Sequence, residues 1–203
     1  DLTGCRAEFA VGCTYKYLNG GPGAPAFIYA RPDIIGDVEP ALAGWMGHDA
    51  PFAMELGYRP AMSTERLRVG TPPIVQLSIL DEALNAWNGV SMDEIRTASI
   101  ALCERFIRDV EAACPSLKLA SPRDPSQRGS QVSFAFEHGY AAIQALIDRG
   151  VIGDFRAPNI MRFGFTPLYI DEADVAKAAQ LVAEVVEQRL WDDPKYKRLS
   201  RVT

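Results

Sequence analysis

The chain has 203 residues, 48% of them hydrophobic and 23% charged, an ordinary globular composition with enough apolar side chain for a packed core, which excludes disorder as its main state. Its net charge of -5 comes from interspersed acids and bases without a long basic run, which argues against a nucleic-acid partner. No apolar stretch reaches the ~18 residues that span a bilayer, and residues 1–6 have neither the basic nor the apolar region of a signal peptide, so the expectation is a cytoplasmic protein with no membrane partner.

In chain order, residues 8–13 and 26–30 are short apolar runs closed by glycine or proline, and both read as buried strands. Residues 34–73 are rich in Gly, Pro and polar side chains without a clean period, a long ordered loop of the kind that usually carries function. A helix follows over 74–87, begun after Pro72 and Pro73, with apolar residues at 74, 77, 80, 84 and 87. Ser91 and Glu94 have the spacing of a capping box for a second helix, which Cys114 and Pro115 stop.

Residues 118–129 are polar and contain proline, and read as a linker. Beyond them, 131–136 alternates at period two as a strand, and 140–149 is helical up to a capping Gly150. Residues 151–152 and 160–164 read as short strands, and 172–191 as an amphipathic helix. The expected architecture is α/β, with a first domain over 1–115 and a small C-terminal α+β domain over 116–203. Four cysteines without C-x-x-C spacing and only two histidines predict neither a disulfide framework nor a metal site.

One loop carries candidate chemistry. In "CTYKYLNGGPGAP", residues 13–25, Lys16 stands between Tyr15 and Tyr17, followed by three glycines and two prolines. The spacing fits neither the P-loop nor the G-x-G-x-x-G phosphate cradle. A tight inter-strand turn with an exposed lysine explains it plainly. The sharper reading is a lysine flanked by rings and partly desolvated, whose lowered pKa yields a nucleophilic amine suited to a Schiff base. Arg162, inside the apolar run at 160–163, calls for a fixed anionic partner, because an unpaired charge there is costly.

The run "FAVGCTYKYLNGGPGAPAFIYA" resembles the lysine segment of kynureninases, pyridoxal-phosphate (PLP) enzymes of the aspartate-aminotransferase fold, fold type I. "GWMGHDAPFAME" at 44–55, "RLRVGTPPIVQLSILDEAL" at 66–84, and "RGSQVSFAF" with "RAPNIMRFGFTPLY" between 128 and 169 agree in order, so the resemblance covers nearly the whole chain. Related lyases and desulfurases usually place a histidine before the lysine; here that residue is Tyr15.

The resemblance implies that residues 1–115 are the C-terminal part of a large PLP-binding domain. Lys16 would be the Schiff-base and proton-shuttling residue, and Tyr15 a phosphate contact and acid/base. Trp45, Gly70 and Thr71 would contact the cofactor phosphate across a homodimer interface, with Thr71 also beside the substrate ring, and Arg162 would clamp the α-carboxylate. For Trp45 a plain packing role is the alternative, and His48 reads as structural. The implied reaction is hydrolysis of L-kynurenine to anthranilate and L-alanine, with the Gly70-Thr71 pair favouring the unsubstituted substrate over its 3-hydroxy form. Rival readings are another fold-type-I PLP enzyme, a cysteine desulfurase or aminotransferase, and a noncatalytic assembly module.

Enzymes of the family run to roughly twice this length, and only fifteen residues precede Lys16. The expectation is therefore the C-terminal half of such an enzyme, assembling with a complementary N-terminal segment. Alone it should expose apolar surface where the large domain's other strands would pack, and should not fold stably with intact cofactor binding.

Overall fold

The computed structural model describes residues 1–198, and the chain divides into two compact units, 1–88 and 89–203. The division falls well before residue 115, because the long helix expected in the first domain buries Leu102, Phe106 and Val110 in the core of the second unit.

In the first unit, β1 (Phe9–Cys13) and β2 (Ala26–Ala30) pair antiparallel, Phe9 opposite Ala30 and Cys13 opposite Ala26. They are not buried strands. Phe9, Val11, Phe27 and Ile28 are all exposed, because among the described residues no further strand joins this pair. Residues 34–73 hold 3-10 turns at Ile35–Asp37, Trp45–Gly47 and Thr64–Leu67 and one isolated antiparallel bridge, His48 opposite Pro60. Arg66, 3% exposed, knits this region together: its Nε donates to the Ala61 carbonyl at 2.7 Å, and its Nη1 to those of Ile35 and Gly36 at 2.6 Å and Val38 at 2.9 Å. Helix α1 (Ile74–Leu84) follows Pro73 as expected and buries none of its residues. The only hydrophobic residues this unit buries among those described are Ala30, Ile35 and Ala61. This unit therefore leaves large apolar side chains exposed, among them Val11, Phe27, Ile74 and Val75.

The second unit has a core of its own. Helix α2 (Met92–Ala113) starts at the Ser91–Glu94 capping box, where Glu94 N donates to Ser91 Oγ and Ser91 N donates to the Glu94 carboxylate. Strands β3 (Lys118–Leu119), β4 (Gln131–Ala135), β5 (Asp154–Arg156) and β6 (Ile160–Gly164) form an antiparallel sheet in the order β3-β4-β6-β5. The polar stretch read as a linker therefore supplies an edge strand, and the strand expected at 151–152 lies at 154–156 instead. Helices α3 (Gly139–Ile147) and α4 (Glu172–Glu187) complete the layer, with Asp171 capping α4. Val132, Phe134, Met161 and Phe163 turn one sheet face to these helices, where Phe106 lies 5.1 Å from each of the Phe163 and Phe165 rings. The C-terminal unit is thus the expected small α+β arrangement, mixed α/β with small sheets.

Candidate active site

The lysine loop is built on Thr14. This threonine is 5% exposed, its hydroxyl donates to the Pro25 carbonyl, and its own carbonyl accepts from Gly20 N at 2.9 Å. The loop thereby closes on itself at the end of the hairpin. Gly20 is needed for the fit, since a Cβ there would stand 2.9 Å from the Thr14 oxygen. Asn19 N donates to the Lys16 carbonyl at 2.9 Å, and the Tyr17 ring lies 5.8 Å from Trp87. These anchors leave Tyr15 and Lys16 exposed, with Lys16 Nζ 5.1 Å from the Tyr15 ring centroid. Lys16, read in the sequence as a partly desolvated amine, is exposed as a residue in this chain.

Trp45 and the Gly70-Thr71 pair are brought together by a close backbone crossing. A Cβ on Gly44 would lie 1.8 Å from the Val69 carbonyl oxygen, and one on Gly47 2.6 Å from that of Arg68. Two adjacent main chains thus run in contact, carrying Trp45 on one and Gly70 on the other. Trp45 packs edge-on to Phe52 and borders a cleft of about 290 Å³ with His48 and Tyr58. The His48 ring is held on both sides, Nδ1 accepting from Ala50 N at 2.9 Å and Nε2 lying 3.2 Å from the Gly57 carbonyl.

Arg162 belongs to the second unit. Strand register sets it opposite Ser133 on β4 and Asp154 on β5, on the sheet face away from Met161 and Phe163. Its Nε donates to Asp154 Oδ1 at 2.8 Å and its Nη2 to Oδ2 at 2.5 Å. This bidentate bond raises the guanidinium pKa above its ordinary value. The anion that the sequence demanded for Arg162 is therefore supplied within the chain. Sequence reasoning missed Asp154, Thr14 and Arg66, each of which acts through partners 5 to 31 residues away. No sequence period signals such pairings.

The second unit also holds a cavity of about 350 Å³ among Phe106, Val151, Phe163, Ile170, Lys177 and Leu181, on the helical side of the sheet and so not on the Arg162 face. Cys103 and Cys114 are buried and free, and burial pushes the Cys114 thiol up to about 11. Among the described residues no group of His, Cys, Asp or Glu could hold a metal ion, and no helix is long and apolar enough to cross a membrane.

Comparison with solved structures defines the class first. The cysteine desulfurase of Thermococcus onnurineus superposes with a TM-score of 0.74 at 20% identity, over 92% of this chain and 49% of that one. A C-DES variant with glycine linked to its PLP cofactor superposes with a TM-score of 0.73 at 19% identity, over 91% and 48%. The fold is thus the expected fold-type-I one, shared with about half of each of these chains. The particular relatives are kynureninases. Residues 95–182 match the kynureninase C-terminal domain. The kynureninases of Pseudomonas fluorescens and Burkholderia mallei are 45% and 46% identical to this chain over its whole length. The match covers 49% of each relative, so the chain corresponds to their C-terminal half and spans about half their length.

Proposed function

We propose that the chain is the C-terminal portion of a PLP-dependent enzyme that hydrolyses L-kynurenine to anthranilate and L-alanine. The observation that carries this is the 45–46% identity to kynureninases over the entire chain. The groups present suit the cofactor. An exposed amine and a phenol stand side by side at Lys16 and Tyr15, and the Trp45 indole and the Thr71 hydroxyl lie at a paired crossing whose Gly70 is open for close approach of a phosphate.

When bound, PLP would serve as the electron sink for cleavage next to the substrate's α-carbon. Lys16 would hold the cofactor and carry the proton to and from the α-carbon. Tyr15, adjacent to it, would serve as the second acid/base while water adds to the γ-carbonyl. Trp45, Gly70 and Thr71 would bind phosphate, Thr71 would also border the substrate ring, and Arg162 would receive the α-carboxylate. The compact Gly70-Thr71 wall favours unsubstituted kynurenine over its 3-hydroxy form.

The reading places the protein in the cytoplasm, as a homodimer or assembled with a complementary N-terminal segment. That segment would cover the apolar side chains of Val11, Phe27, Ile74 and Val75, all exposed here. Anthranilate fluorescence released from L-kynurenine by the chain reconstituted with that segment and PLP tests the function. Release that is lost in Lys16→Ala supports it. Release of sulfur from cysteine instead points to a desulfurase, and absence of both to an assembly module.

A further inference from the structure

We infer that Asp154 is a positioning residue for Arg162, gripping one edge of the guanidinium so that the other edge is presented to a ligand carboxylate. The inference rests on the proposal that Arg162 receives the substrate's α-carboxylate. A guanidinium offers a side edge, made by Nε and one Nη, and an end edge made by both Nη groups. Asp154 occupies the side edge with both oxygens, at 2.8 and 2.5 Å. The end edge keeps one N–H of Nη1 and one of Nη2, and Nη1 makes no hydrogen bond to the described residues. The Arg162 side chain is 27% exposed, so it is not sealed in the core.

Register makes the grip rigid. Asp154 is the direct cross-strand partner of Arg162, and the two strands continue in pairing at Phe155–Met161 and Arg156–Ile160. Neutralising Arg162 would by itself weaken its pull on an anion. Arg156 compensates: its Nη2 lies 3.4 Å from Asp154 Oδ2, so the three side chains together carry a net positive charge. A pre-oriented fork loses less freedom on binding than an arginine ordered by the ligand itself.

The test follows the Arg162 Nε–H resonance in the ¹⁵N-labelled chain assembled with its complementary N-terminal segment and PLP, identified by its disappearance in Arg162→Lys. L-alanine is the carboxylate probe, and L-alaninamide, which lacks the carboxylate, is the control. The inference predicts that L-alanine shifts the Nη resonances while Nε–H keeps its bonded position to saturation, and that the amide does neither. Asp154→Asn, with an unchanged backbone spectrum, should weaken L-alanine binding roughly three- to tenfold, the loss expected for ordering one long side chain. If Nε–H moves to its free position as L-alanine fills the site, or if Asp154→Asn binds more tightly, Asp154 is a displaceable placeholder and the inference is overturned while the role of Arg162 stands. If no carboxylate-specific response occurs at Arg162 in either protein, the reading of Arg162 itself fails.

Discussion

Gly44 lies so close to Val69 that a Cβ built on it would stand 1.8 Å from the Val69 carbonyl oxygen and 2.5 Å from its Cα. These are backbone atoms, so no rotamer change relieves the clash. Gly44→Ala must push the two main chains apart, separating Trp45 from Gly70 and Thr71. The expected result is weaker PLP binding, with unit 2 melting as in the wild type. Cofactor titration and thermal unfolding of the same variant check both parts.

Arg66→Lys removes a planar fork that reaches four carbonyls, at Ala61, Ile35, Gly36 and Val38. A lysine has one nitrogen and cannot reproduce these directions. Loss of two or more charge-assisted bonds should cost about 3 kcal/mol locally. Limited proteolysis should then cut faster within residues 35–66 than in the wild type, while sites in residues 89–198 keep their rates.

Phe106 is fully buried and touches the rings of Phe134, Phe163 and Phe165. Phe106→Ala should destabilise the second unit by about 3–5 kcal/mol, the transfer loss plus the cavity left behind. Urea unfolding monitored by the near-ultraviolet signal of the buried Trp191 provides the measurement.

Hydrogen bonds from Ser91, its backbone amide first, hold the Glu94 carboxyl below its ordinary pKa. The sign follows from the depressed folded value. The stabilisation is complete above the ordinary glutamate range and is lost as pH falls through the lowered folded value. Helix α2 should therefore fray at its N-terminus in acid, and Glu94→Gln, which removes the titrating carboxyl, should flatten that part of the pH profile. Amide exchange at residues 92–95 between pH 3 and pH 7 reports it, as a rough window around the glutamate pKa.

Local signals in the sequence survived folding and long-range ones did not. The Ser91–Glu94 spacing became a capping box, and the alternation at 131–136 became β4, because each is decided by neighbours within a few residues. The apolar pair Val151 and Ile152 read as a strand, yet the pairing went to Asp154–Arg156, whose charged ends look like turn residues. Ladder bonds to β6 and the Asp154–Arg162 pair decide that register, and neither is visible in a one-dimensional pattern. The composition of β1 and β2 suggested burial, but burial needs a covering layer, and none of the described residues adds a strand to this hairpin. Of the site, Tyr15 and Lys16 are legible as a pair, whereas the approach of the segments that carry Trp45 and Gly70 depends on the Gly44–Val69 crossing.

The central claim is that Lys16 holds the cofactor, and the chain is well suited to test it. Of its five lysines, at 16, 118, 177, 195 and 197, Lys16 is the only one in the first unit. The measurement is borohydride reduction of the PLP-loaded assembly followed by peptide mapping. The account predicts a pyridoxyl group on Lys16 alone, with no label in Lys16→Ala. Label on any other lysine with Lys16 unmodified, or stoichiometric PLP binding that leaves no reducible link to this chain, would contradict it.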